Sequence, residues 1–138
     1  MASGIYDCFK VDLMSGDVNL ANGGDTIKVM LLDNSHAFNA SHTVNTDVNG
    51  NELAASGNYT TGGATLAGQA VSMAANTATW DATDTAWASA TFTAYHAVLY
   101  DTTNSNSLIC SIDFGGAQTV ASGTFTIQWD ADGIIELA

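Results

Sequence analysis

Proline and arginine are both absent from the 138 residues, and Lys10 and Lys28 make up the whole basic complement. Fourteen acidic side chains oppose them, for a formal net charge of -12 and a pI of about 4.1. Contacts to nucleic-acid phosphates are built from Lys and Arg, so no nucleic-acid partner is expected. The same shortage argues against adhesion to anionic membranes. It also removes the cationic clamp on which phosphate-handling enzymes usually rely. The longest aliphatic run, Val29-Met30-Leu31-Leu32, is far below the roughly 20 residues of a membrane span. The opening Met1-Ala2-Ser3-Gly4 carries neither a basic nor an apolar segment of the kind a signal peptide needs, so none is expected. Cysteine is scarce too. Cys8 and Cys110 stand far apart in the chain, which makes neither a redox CxxC pair nor a metal-binding set. Two reduced thiols buried as small apolar groups are expected, in a reducing cytoplasm at the time of synthesis, with a Cys8–Cys110 bridge left open.

Apolar residues are plentiful, at 46% against 12% charged. Disorder requires low hydrophobicity as well as high net charge, so it is excluded, and the length fits one domain over residues 1–138. Gly, Asn, Ser, Thr and Asp cluster between segments rich in Thr, Val, Ile and aromatics, the pattern of an all-β chain with many turns. Residues 4–15 are the exception. Ile5, Phe9 and Leu13 recur at a spacing of four and Gly16 follows, which predicts a short amphipathic helix with Ser3 as its cap. Strands are predicted over 26–33, 66–73 with Gly68 at a bulge, 77–81 centred on Trp80, 90–101, 108–114 closed by Gly115-Gly116, 124–130, and a last short one at 134–137. Trp87 and Ala88 fall in a short strand or a connecting arch. Asp101 to Asn106 and Asp132-Gly133 read as turns. Residues 34–58 form a long polar loop without a core pattern, usually a sign of function or mobility. The expected architecture is an antiparallel β-sandwich or small barrel of about 7–9 strands with a short N-terminal helix.

Chemistry-bearing residues are few. His36 and His42 share the polar loop and His96 sits in an apolar strand, too few ligands for a zinc site. No Gly-x-Ser-x-Gly elbow exists, and Ala121-Ser122-Gly123 reads as a turn. Asp81/Asp84 and Asp130/Asp132 have the look of acid–base pairs, yet turn positions favour Asp for local backbone hydrogen bonds. Asp47 through Glu52 and Asp101 through Asn106 supply oxygens of the kind calcium takes, without the spacing of a helix-loop-helix site. Trp80, Trp87 and Trp129 suit either a carbohydrate groove or, more commonly, core packing. No catalytic, cofactor-binding or metal-ligating residue is therefore assigned, and no enzyme activity is expected.

Several blocks, taken as a set, are distinctive. They are Ile5-Tyr6-Asp7 with the run to Gly16, Asp25 through Asp33, and Asn58-Tyr59-Thr60-Thr61-Gly62-Gly63-Ala64. Ala97-Val98-Leu99-Tyr100, Ile112-Asp113-Phe114-Gly115, and Gly123 through Asp130 with Gly133-Ile134-Ile135 complete them. Over nearly its whole length the chain thereby resembles short tailed-bacteriophage virion structural proteins of the capsid-decoration or cement type. Members of that family tend to carry more Lys and Arg, so the acidity here is a departure.

The resemblance implies a non-catalytic protein on the outer capsid surface of the virion, made in the bacterial host cytoplasm. Its partners would be the major capsid protein and itself, as a homo-dimer or homo-trimer, and it would clamp neighbouring shell subunits. A net negative charge suits the outside of a shell rather than its DNA side. The apolar faces of 27–32 and 94–100 are expected to feed an oligomer interface. The 34–58 loop and the N-terminal segment are expected to reach a neighbour. A tail, fibre or neck component is the nearest alternative, and a carbohydrate-binding β-sandwich module the next.

Overall fold

The computed structural model describes residues 3–138. Its elements in chain order are β1 (Gly4–Ile5), α1 (Asp7–Ser15), β2 (Ile27–Leu32), β3 (Ala64–Thr65), β4 (Ala70–Ala74), β5 (Thr77–Asp81), β6 (Thr85–Asp101), β7 (Ser107–Ile127) and β8 (Ile135–Leu137). Two antiparallel sheets result: five strands in the order β1-β7-β6-β2-β3, and three in the order β4-β5-β8. The all-β architecture with one short helix is as expected.

Half-buried β-branched and aromatic residues form the long hairpin β6–β7, which dominates the molecule. Asp101 opens its turn by accepting, at Oδ1, the backbone N–H groups of Thr103 (2.9 Å) and Asn104 (3.2 Å). Ser105 and Asn106 then take positive φ, 51° and 60°, and the chain reverses as the polar cluster predicts. Further along, the structure corrects the expected boundaries. Gly115-Gly116 does not end a strand, and Trp87-Ala88 is no separate arch. Both lie inside the hairpin, whose register slips between Trp87 and Ala90, Ala90 and Phe92, Ala94 and His96, and Leu99 and Tyr100. Positive φ at Ser89, Gly115, Gly116 and Ser122 is absorbed along these two strands, so turn-like residues kink the ladder without breaking it.

The helix also starts later than predicted. Gly4 and Ile5 pair with Ser111 and Cys110 as an edge strand, and Tyr6, not Ser3, is the N-cap. Ser3 Oγ instead accepts the N–H of Asp113 at 2.9 Å. Gly16 closes the helix as expected, in the left-handed conformation at φ 82°. The 66–73 strand is displaced to β4, and Gly68 (φ 65°) lies in the preceding turn, against Thr83.

Both faces of the central strands are buried. Ile27, Val29 and Leu31 on β2 join Ala97 and Leu99 on β6 against Trp80 and Ile135 of the small sheet, with Phe9, Tyr59 and Trp87 filling the same core. Met30, Leu32, Val98, Tyr100 and Leu108 point the other way and are covered by Tyr6, Val48 and Phe38. The faces of 27–32 and 94–100 therefore supply two cores, and not the subunit interface expected of them. The 34–58 loop is the lid of the second core. Short 3-10 turns at Asn45–Asp47 and Asn49–Asn51 shape it, and it is tied to β2 through Asp33 N–H to Asn51 O (2.9 Å) and Leu53 N–H to Leu31 O (3.0 Å).

Candidate functional site

The lid brings two histidines together. His36 on the loop and His96 on β6 meet edge to face, with 5.0 Å between ring centres. His36 Nε2 lies 3.0 Å from Ser111 Oγ on β7. His96 Nδ1 stands 3.9 Å from Asp113 Oδ1. Sequence spacing carries no sign of this cluster, because Ser111 is separated from His36 by 75 positions. Its chemistry is that of a buried polar core, with His96 and Asp113 at the floor of a surface hollow. His36, His96 and Ser111 are all buried, so a serine hydroxyl beside an imidazole here faces no substrate. Burial, reinforced by the neighbouring His96, lowers the His36 pKa to about 4. Burial likewise lowers that of His96, with Asp113 opposing. Both imidazoles are neutral at pH 7. His42, in the same loop, stays outside the pair, and its Nδ1 is buried without a hydrogen-bond partner.

The carboxylates are occupied by the backbone. Asp47 Oδ2 accepts from Thr43 N–H (2.9 Å) and Val44 N–H (3.2 Å), and these bonds hold its carboxyl below the ordinary range. Asp81 Oδ1 accepts from Ala82 N–H and Asp130 Oδ1 from Asp132 N–H, while Asp84 Oδ1 takes Trp129 N–H across to the end of β7. Neither Asp pair thus stands as a free acid–base couple. Glu52, in the lid, accepts the Tyr59 hydroxyl at 2.9 Å and Gly62 N–H at 2.6 Å through one oxygen. Among the described residues, no group of three or more His, Cys, Asp or Glu is placed to hold a metal ion.

Both cysteines are free thiols. Burial pushes the Cys110 thiol up to about 12, and burial raises Cys8 as well, so neither is poised as a nucleophile.

Besides a hollow of about 360 Å³ beside the histidine pair, lined by Asn34, Tyr95, His96, Asp113, Gly115 and Gly116, two surface features remain open. One is a groove of about 270 Å³ between α1, the 18–21 segment and the small sheet, floored by Trp80 and Ile135. The other is a wider hollow of about 520 Å³ along the end of β7, where Phe114, Phe125 and Trp129 alternate with Gln118, Gln128 and Asp130. Of the three tryptophans, Trp80 and Trp87 are buried. Trp129 is half-buried, its indole N–H donating to Thr83 O at 3.1 Å.

The fold is an all-β domain of two antiparallel sheets with one short helix. The chain matches no family model, no curated protein and no solved structure. Among the described residues, no helix is long and apolar enough to cross a membrane.

Proposed function

We propose that this chain is a tailed-bacteriophage decoration protein, which binds the outer face of the capsid and clamps neighbouring subunits of the major capsid protein. The observation that carries the reading is the end-to-end set of sequence blocks that resembles such proteins. Those blocks fall on structural keystones: Asp25 through Asp33 spans the central strand β2, and Asn58 through Ala64 carries the buried Tyr59 and the left-handed Gly62 and Gly63. The work of such a protein is adhesion, and no enzymatic step belongs to it. Many identical weak contacts on a lattice add up by avidity, and a ligand specific to the assembled shell stabilises it by mass action. Acidic charge over the surface suits the outside of the particle.

Electron microscopy of purified particles, with this chain counted per virion, is the test. Hundreds of copies on a regular outer lattice support the reading. A handful at the neck or along the tail moves the protein to the tail, fibre or neck class, and absence from particles overturns the proposal. The hollow lined by Phe114, Phe125 and Trp129 favours one second reading, a carbohydrate-binding module. Aromatic rings flanked by amides and a carboxylate suit a sugar face. Glycan titration followed by tryptophan fluorescence decides it.

A further inference from the structure

The small sheet ends on one side in β4, which pairs only with β5. Natural edge strands are blunted by charge, proline, bulges or a covering element. β4 has none of these. Its sequence is Ala-Val-Ser-Met-Ala, all five residues are exposed, and its register with β5 is unbroken from Ala70↔Asp81 to Ala74↔Thr77. A row of backbone N–H and C=O groups is left open on a regular, neutral strand.

The apolar face of this sheet also overruns the body of the molecule. Register places Val71 beside Trp80 and Met73 beside Ala78, with Ile135 and Leu137 continuing the same face on β8. Trp80 and Ile135 are buried in the core, whereas Val71, Met73 and Leu137 are 55%, 80% and 52% exposed. The overhang continues into the 270 Å³ groove, which Val71 and Leu137 line together with Phe9 and Leu13 of α1.

Charge selects the occupant. The charged side chains on α1 and the small sheet are Asp7, Asp12, Asp81 and Glu136, with Lys10 alone opposing them, and none of them lines the groove itself. Lys10 is engaged by Asp7 at 2.8 Å. A second copy of the chain would bring another net charge of -12 and an equally neutral edge, so like-charge repulsion disfavours it.

We propose that the β4 edge and its apolar overhang dock an extended segment of a different protein, apolar at alternate positions and flanked by Lys or Arg. The segment adds a strand to the small sheet beside β4 through main-chain hydrogen bonds, and its apolar side chains cover Val71 and Met73. The inference goes beyond the shell proposal and does not depend on it.

The test is titration of the intact protein with a short peptide of alternating valine and threonine carrying paired lysines at both ends. Its counterpart ending in glutamates is the control. Amide hydrogen exchange and backbone chemical shifts locate the contact. The expected result is saturable binding of the lysine-ended peptide, new protection over residues 70–74, and no binding of the glutamate-ended one. Met73→Asp separates docking from bare charge attraction. It adds a negative charge at an exposed position, so a purely electrostatic contact strengthens, whereas a strand seated on the overhang weakens about tenfold. Unchanged melting of Met73→Asp shows that the fold is retained. The proposal is overturned by tighter binding to Met73→Asp, by protection elsewhere, or by no binding at millimolar peptide. A concentration-dependent dimer in sedimentation that Met73→Asp dissolves also overturns it, and assigns the edge to a second copy.

Discussion

The imidazoles of His36 and His96 touch edge to face, 5.0 Å apart, in the layer that fastens the 34–58 lid to the central sheet. Their burial makes the lid acid-sensitive. The His36 pKa is lowered from 6.5 to about 4, first by burial and next by His96. A depressed folded-state pKa gives stability that is present above the unfolded value and lost as pH falls through the folded one. In Asp101→Asn, which removes the opposing titration of that buried carboxyl, unfolding free energy from urea titrations is therefore expected to decline between pH 6.5 and pH 4, with His36 contributing about 3 kcal/mol of the loss. A flat profile over that window would contradict neutral burial of the pair.

His96 separates the two components of that loss. Both of its ring nitrogens lack a hydrogen-bond partner and the residue is 1% exposed. His96→Phe keeps an aromatic ring of similar size and removes two orphaned polar atoms, a change that is near neutral or stabilising. The variant is expected to melt at or above the wild-type temperature at pH 7, and to lose less stability toward pH 4. A lower melting temperature at pH 7 would show that the ring nitrogens do hold partners.

Asp101 works in the opposite direction. Burial, with Asp25 beside it, raises its carboxyl to about 6, although Oδ1 accepts two turn amides. A raised folded-state pKa means a contribution present below the unfolded carboxylate range and lost as pH climbs through about 6. Asp101→Asn retains the oxygen acceptor and removes the charge. It is expected to gain about 2 kcal/mol over wild type at pH 8 and nothing at pH 4, read from urea midpoints. Equal stability at both pH values would mean that the carboxylate is not strained by its burial.

What could be read from the sequence was the local part. The Gly16 terminus, the 101–106 turn and the β5 strand around Trp80 follow from residues within a few positions of each other. The long hairpin was not legible as such. Ser89, Gly115-Gly116 and Ser122 carry turn chemistry, and only the partner strand reveals that they kink a continuing ladder. The lid was illegible for a related reason. His36, Phe38 and Val48 do its covering, spread among polar residues that mostly stay exposed, so no periodicity marks it. The His36–Ser111 contact and the overhang of β4 depend on which strands become neighbours, and that is a property of the whole fold.

Glu52 is the clasp of the lid. Its Oε1 accepts both the Tyr59 hydroxyl and Gly62 N–H, while Tyr59 Oη also accepts Leu31 N–H at 3.0 Å. Glu52→Ala leaves Gly62 N–H and the tyrosine proton without this acceptor, at a cost of about 2 kcal/mol. The expected signature is a lower urea midpoint together with faster protease cleavage within residues 34–58. Glu52→Gln keeps an acceptor oxygen and is expected to recover about half of the loss. Unchanged cleavage of Glu52→Ala would mean that the lid is held by its core residues alone.

Gly16 and Gly63 separate backbone strain from steric exclusion. Their φ angles are nearly the same, 82° and 83°. A Cβ on Gly16 meets nothing within 4 Å, whereas one on Gly63 would run into the carbonyl of Val29 on the central strand. Gly16→Ala therefore bears only the penalty of the left-handed conformation, about 1 kcal/mol. Gly63→Ala bears that penalty and must also push β3 away from β2, where Ala64 pairs with Val29. Its loss is expected to be at least about 3 kcal/mol. Melting of the two variants side by side measures the difference. Equal losses would show that the Gly63 turn yields without disturbing the sheet, and that the β2–β3 edge is far softer than its burial implies.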